Sequence, residues 1–225
     1  MSEQVQKWMR IFLGILLFGS LWGALEATLG GLLAVVHFPQ HGAVMANIGF
    51  LTMGAAFALY RRPGMPLGIA AVAASFKLLD VAIFQVPPLT RMVINPMVAI
   101  ILEALAFEGV ALLILRRWPR NVLAQAGAGA AGMLLSYAGI ALAFNYLTQM
   151  GPRAMLTDPL GWVLQRGGFA AALALVALPL GLGLGGLLRR VERRIQPHLT
   201  LYYAGSVSVI LLAVAAAVWG TLRLG

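Results

Sequence analysis

The segment FGSLWGALEATLGGLLAV, residues 18–35, decides the fold of this chain. It is apolar and long enough to form most of a transmembrane helix, which needs about 20 mostly apolar residues. Within it lies one carboxylate, that of Glu26. A charged group inside a membrane span costs about 2.5–3.5 kcal/mol on insertion scales and by default faces the interior of the helix bundle. The segment therefore predicts a membrane helix with one face turned toward a polar interior.

The composition extends this prediction to the whole chain. Of 225 residues, 61% are hydrophobic and only 10% are charged, whereas a soluble domain has about 25% charged residues. The chain has no cysteine, which excludes disulfides and thiolate metal sites. We expect residues 1–225 to form a single transmembrane domain, because no linker, soluble domain or internal repeat stands out.

Seven apolar segments, separated by Pro-, Gly- and Arg-rich breakers, predict an all-α bundle of about seven transmembrane helices. The predicted spans are 11–36, 42–60, 66–84, 92–115, 121–147, 160–188 and 199–222. The first apolar run is too long for the core of a signal peptide, so we expect this span to be retained.

The basic residues predict the orientation. The net charge is +9, and the Lys and Arg residues in the connections and near the span ends divide eleven to four between the two sides of the membrane. Such a bias is typical of membrane topology rather than of a nucleic-acid surface, and it predicts a cytoplasmic N-terminus and an outside C-terminus. The eleven are Lys7, Arg10, Arg61, Arg62, Arg116, Arg117, Arg120, Arg189, Arg190, Arg193 and Arg194.

Polar residues within the spans form the candidate site. At a rise of 1.5 Å per residue, five of them lie about 16–22 Å from the basic ends of their helices, in one layer. These five are Glu26, Asn47, Lys77, Asp80 and Glu103. Asn95 lies on the same helical line as Glu103, and Trp22 precedes Glu26 by four residues. All seven are predicted to bind a ligand or to couple protons.

The charges of this layer do not balance. Lys77 and Asp80 are three residues apart on one helix and can pair, which leaves Glu26 and Glu103 as surplus acids. Either one or two of the carboxylates hold protons, or a cation binds among them. The alternative interpretation is that the polar groups only fix helix packing through hydrogen bonds.

Two further sets of residues have a structural interpretation beside a functional one. Small residues at four-residue spacing in the first span allow close approach of another helix, from this chain or from a partner subunit. They are Gly19, Gly23, Ala27 and Gly31. His37 and His41 are the candidates for a metal site, but no third His or Cys ligand lies on their side. We therefore predict no metal site, and no cofactor follows from the sequence.

Catalytic motifs are missing from the sequence. It contains no Walker A, HExxH or GxSxG sequence and no Ser/His/Asp or Cys/His arrangement. We expect a protein that is not an enzyme, with any ATPase activity on a partner chain.

Short motifs carry a resemblance to a known family. LWGALEATLG (21–30), KLLD (77–80) and INP (94–96) followed by ILEALA (101–106) together resemble the S components of energy-coupling-factor (ECF) transporters, over roughly the first 115 residues. Such components are small prokaryotic membrane proteins, usually with six spans. They bind a vitamin-like solute or ion on the outer side and associate with a coupling subunit and two ATPases. The resemblance implies the prokaryotic inner membrane and those partners, and it assigns no role to single residues.

Two classes of function remain open. The first is a solute-binding subunit of a transporter, which takes a small cationic or zwitterionic solute, or couples protons, at the buried acid–lysine cluster. The second is a membrane anchor, or a quinone- or proton-handling subunit, of a redox complex. The predicted partners are the lipid bilayer, a small solute or ion, and a coupling subunit with its ATPases, but no nucleic acid.

Overall fold

The structure is a computed structural model that describes residues 2–148, 152–195 and 199–224. Within these residues there is no strand, and seven helices are long and apolar enough to span a membrane. The predicted all-α, multi-pass bundle is therefore confirmed. In chain order the helices are α1 (Gln4–Val35), α2 (His41–Tyr60), α3 (Met65–Phe84), α4 (Arg91–Leu115), α5 (Val122–Tyr146), α6 (Pro159–Glu192) and α7 (Tyr202–Arg223).

Two helices extend further than their predicted spans. The helix of α1 already includes residues before 11, where the Ser2 side chain accepts a hydrogen bond from Val5 N at 3.4 Å. Helix α6 continues past residue 188, the end of its predicted span, through the sequence RRVE. Hydropathy locates the apolar part of a helix, whereas the helix itself ends where its backbone is capped or broken.

Local capping fixes the starts of α5 and α6. Asn121 Oδ1 accepts a hydrogen bond from Ala124 N at 3.0 Å, and Asp158 Oδ1 accepts one from Gly161 N at 2.9 Å. Asparagine and aspartate are favoured at this position because their side chains satisfy backbone N–H groups that have no helical acceptor.

Helix α2 lies at the centre of the bundle and is the most buried of the seven spans described. It packs chiefly against α6 and also contacts α1, α3 and α4. Around it, α1 packs on α3, α3 on α4, α4 on α5, and α5 on α6. Helix α7 is the least buried and packs mainly on the outside of α1. The first six helices thus form the body, and the seventh lies against one side of it.

Glycines allow α2 and α6 to meet backbone to backbone. A Cβ atom at Gly181 would overlap the backbone of Leu51, and one at Gly185 would overlap the carbonyl of Ala55. The glycine-rich run LPLGLGLGG, residues 178–186, therefore serves a close helix–helix contact of the kind that small residues permit in membranes.

Candidate functional site

Two neighbouring cavities lie in the half of the bundle that holds the end of α1 and the start of α2. The first has a volume of about 340 Å³ and the second about 260 Å³. Small-molecule sites typically occupy about 300–1,000 Å³, so the two cavities together suit a small solute. Glu26, His41 and Pro96 line both cavities, so the two cavities adjoin at these residues.

The first cavity contains the predicted ion pair. Lys77 Nζ lies 2.9 Å from Asp80 Oδ2, and these side chains are only 14% and 7% exposed. Glu26 of α1, His41 of α2 and Thr221 of α7 complete the polar lining. These side chains come from four helices, so the cavity depends on the packing of α1, α2, α3 and α7.

The second cavity has more aromatic side chains in its lining than the first. Glu103 is 6% exposed, and no hydrogen bond or ion pair joins its carboxyl group to any residue that the structure describes. The rings of Tyr137 and Trp162 line the same cavity and lie 5.3 Å apart between centroids. Asn95 of α4 and Met155 of the short helix Arg153–Thr157 complete this surface. A buried acid beside aromatic rings is a setting suited to a cation.

Electrostatic interactions connect the two cavities through Glu26. This carboxylate interacts with Lys77, Asp80 and His41 on one side, and with Glu103 on the other. With every group but the histidine ionised, three acids face one ammonium, which gives a net charge of −2. The site therefore requires bound protons, a bound cation, or both.

Several helices lose regular geometry at the cavities, including α5 and α6, which have π-helical turns over Ala143–Thr148 and Val163–Gly167. Helix α1 has a wide, π-helical turn over Glu26–Gly30, and α3 is interrupted at Phe76 and Lys77. In α4, Pro96 has no N–H group, so the carbonyl of Met92 lacks its usual helical donor. Irregular backbone inside a membrane is tolerated where it lines a cavity, and π-helical turns are frequent at functional sites.

Five of the seven residues predicted for ligand binding or proton coupling line the cavities, and two do not. The five are Glu26, Lys77, Asp80, Asn95 and Glu103. The depth estimate therefore selects mostly side chains that the structure brings together.

Asn47, from the predicted layer, and Trp22, included because it precedes Glu26 by four residues, both lie outside the lining of the two cavities. Asn47 Nδ2 donates to Ala43 O at 2.8 Å in its own helix and to Ala170 O of α6 at 3.0 Å. It thus connects α2 to α6. The Trp22 ring is fully buried against Gly49, and no described residue accepts a hydrogen bond from its Nε1. Both side chains serve the packing around α2.

Sequence reasoning missed part of the lining. Tyr137 carried a signal, since a hydroxyl-bearing ring stands in the middle of an otherwise apolar span. Trp162 lies at the start of the predicted span 160–188, where an aromatic ring indicates only the membrane interface, and no pattern singles out Thr221. Both contribute through the way α6 and α7 pack, which no local pattern in the sequence indicates.

The small-residue stripe of α1 is occupied within the chain. Gly19 and Gly23 lie against side chains of α3. Ala27 belongs to a buried cluster that includes residues of α7, and Gly31 lines the first cavity. Close helix contacts inside this chain account for the stripe at its first three positions.

The two histidines differ in position. His41 lines both cavities, and its Nδ1 lies 3.2 Å from Phe38 O. His37 lies in the loop before α2, with a left-handed backbone at φ 54°. Across the described ranges, no group of three or more His, Cys, Asp or Glu side chains is arranged to hold a metal ion.

No protein-family model, curated protein or solved structure matches this chain. The fold defines a multi-pass membrane protein, and its function has to be inferred from the chemistry of the two cavities.

Proposed function

We propose that this protein is the solute-binding membrane subunit of a transporter, and that the two cavities hold one small cationic or zwitterionic solute. The observation that carries the proposal is the surplus of acid at the cavities, where Glu26, Asp80 and Glu103 face a single lysine. Ionisable groups inside membrane proteins generally mark the paths of substrates, ions or protons.

The second cavity suits the cationic part of the solute. An amine beside Glu103 would pair with a carboxylate that no described residue neutralises. Tyr137 and Trp162 would present their rings to the same group, and a desolvated cation gains about 2 kcal/mol from such a contact. In a zwitterion, the carboxylate would face Lys77 in the first cavity.

Proton coupling is part of the same proposal. Glu26 lines both cavities and faces charged groups in each, Lys77 and Asp80 in the first and Glu103 in the second. When no solute is bound, a proton on Glu26 or Glu103 would neutralise surplus charge, and an arriving cation would displace it. Asp80 is the poorer proton carrier because Lys77 compensates its charge at 2.9 Å.

The proposed partners follow from the resemblance to the S components of ECF transporters, and the proposed orientation follows from the basic residues. On this proposal a coupling subunit and ATPases supply the energy, in the inner membrane of a prokaryote. The N-terminus is cytoplasmic and the C-terminus outside, because basic residues concentrate at one end of the bundle. The ion pair between Arg10 and Glu192, at 2.6 Å, lies at that end, next to Lys7 and Arg62.

Thermal unfolding of purified protein tests the solute site. We expect cationic and zwitterionic solutes to stabilise the wild type more than anionic solutes do, and Glu103→Gln to abolish the difference. The matched control is Glu108→Gln, because Glu108 lies on the same helix, outside both cavities, and accepts a hydrogen bond from Gly64 N at 3.1 Å. An unchanged solute response in Glu103→Gln, Glu26→Gln and Lys77→Met would remove these residues from the site.

Co-purification tests the transporter class. Pull-down from native membranes in mild detergent, followed by mass spectrometry, is expected to recover a coupling subunit and ATPases. Recovery of flavin, haem or iron–sulfur subunits instead would favour the redox anchor and overturn the proposal.

A further inference from the structure

A third cavity lies at the opposite, basic end of the bundle, among α2, α5 and α6. Its volume is about 410 Å³. Three arginines, Arg61, Arg120 and Arg189, contribute to its lining, which contains no acidic side chain among the described residues. Most of the remaining lining is apolar and includes Phe57 and Leu182. The cavity therefore combines a cluster of positive charge with an apolar interior.

The three arginines differ in how firmly they are held, and within the described residues only Arg189 has contacts that fix its side chain. The Arg189 guanidinium donates to the carbonyls of Ala58 and Leu59 at the end of α2, the latter at 3.1 Å. These contacts fix its position beside the cavity. Arg61 and Arg120 are exposed, and neither pairs with any carboxylate in the part of the chain that the structure describes. Three guanidinium groups around one opening match the geometry and charge of a phosphate group.

The apolar part of the cavity follows the open glycine face of α6. A Cβ atom at Gly183 or Gly186 would meet no atom within 4 Å, and both residues are exposed. This face differs from that of Gly181 and Gly185, which are closed by α2. On a helix of a membrane protein, an exposed glycine face leaves a shallow groove that a lipid acyl chain can fill.

We propose that this cavity binds one anionic phospholipid. Its phosphate group lies among Arg61, Arg120 and Arg189, and one acyl chain follows the groove at Gly183 and Gly186. Basic pockets between transmembrane helices bind anionic headgroups in this way. The groove distinguishes a lipid from free phosphate, because both carry the negative charge but only the lipid has an acyl chain that can fill the groove. The site is independent of the proposed solute site at the other end of the bundle.

Native mass spectrometry of the full chain in detergent tests the proposal. Wild-type protein is titrated with dioleoylphosphatidylglycerol, with dioleoylphosphatidylcholine and, in a separate arm, with inorganic phosphate. We expect one phosphatidylglycerol to bind more tightly than phosphatidylcholine, and each arginine to contribute about fivefold to that affinity. Arg61→Gln/Arg120→Gln removes the headgroup contacts, and Gly183→Leu fills the groove without changing charge.

Matched controls separate these effects from general changes. Arg190→Gln/Arg194→Gln removes two exposed charges from the end of α6, at the same basic end of the bundle but outside the cavity lining. Gly205→Leu introduces the same side chain at an open glycine of α7. We expect both controls to retain the preference for phosphatidylglycerol and both test variants to lose it.

Three results would overturn the lipid site. The first is equal binding of the two lipids by wild-type protein, and the second is an unchanged preference in Arg61→Gln/Arg120→Gln. The third is a phosphate adduct that depends on these arginines while Gly183→Leu binds phosphatidylglycerol normally, because that result identifies a site for free anions.

Discussion

Lys77 Nζ lies 2.9 Å from Asp80 Oδ2, at the point where α3 is interrupted. The interruption places the ammonium group beside the first cavity, within electrostatic reach of Glu26. The Lys77 ammonium group thus compensates the charge of Asp80 and also attracts the Glu26 carboxylate. Because both members of the pair are nearly excluded from solvent, the stability of α3 is tied to the balance of charge at the site.

Removing one member of this pair is expected to destabilise the protein more than removing both. Lys77→Met leaves Asp80 buried without compensation, which costs about 3–5 kcal/mol in comparable buried pairs. Lys77→Met/Asp80→Asn leaves no buried charge of the pair and should recover much of the loss. Thermal unfolding of the three proteins in one detergent provides the measurement. A double variant that is no more stable than Lys77→Met would contradict this account.

Asn47→Ala is expected to lower stability and leave solute binding unchanged. The Asn47 amide donates to Ala170 O across the contact of α2 and α6, and interhelical hydrogen bonds in membranes contribute about 0.6 kcal/mol on average. Unfolding and solute titration on the same preparation separate the two properties. Weaker solute binding at unchanged stability would return Asn47 to the ligand site.

Gly181→Ala is expected to destabilise the bundle although alanine favours helices. The added Cβ atom would overlap the backbone of Leu51, and a rigid backbone cannot move aside as a flexible side chain can. Gly168→Ala in the same helix is the control, because its Cβ atom would meet nothing within 4 Å. There alanine should be neutral or should stabilise the helix by up to about 1 kcal/mol. Equal melting temperatures for the two variants would show that α2 and α6 are less closely packed.

Arg153→Cys and Arg190→Cys are expected to react with a membrane-impermeant maleimide from opposite sides of the membrane. The chain has no cysteine of its own, so each variant carries a single thiol. Both positions are exposed, one in the short helix before α6 and the other near the end of α6. Labelling of intact cells should reach only position 153 if the N-terminus is cytoplasmic. Labelling of position 190 instead would reverse the proposed orientation.

The sequence predicts where the helices lie and how deep the site is better than it predicts which residues line the site. Runs of apolar residues and the arginine clusters mark the spans, and a fixed rise per residue brings Glu26, Lys77, Asp80 and Glu103 to one level. Depth does not give the face of a helix, so it selects Asn47, which bonds to α6. Spacing of four residues along α1 likewise selects Trp22, whose ring packs against Gly49 of α2.

The irregular backbone and the aromatic lining have non-local causes. The interruption at Phe76 and Lys77 contains neither glycine nor proline, and the wide turn Glu26–Gly30 reaches a glycine only at its last residue. No helix-breaking residue therefore marks where either begins. Tyr137 and Trp162 meet because α5 packs on the start of α6. Such features depend on tertiary packing, which overrides local propensity.

The direct backbone contact of α2 and α6 has a mechanical consequence. Where main chains touch, there is no layer of side chains that can change rotamer to absorb a shift. The first cavity lies away from this contact, and much of its lining comes from a widened turn in α1, an interrupted α3 and the peripheral α7. We therefore expect the side of the protein formed by α2 and α6 to be stiff and the side formed by α1, α3 and α7 to be pliable. Any opening that admits a molecule should occur on the pliable side.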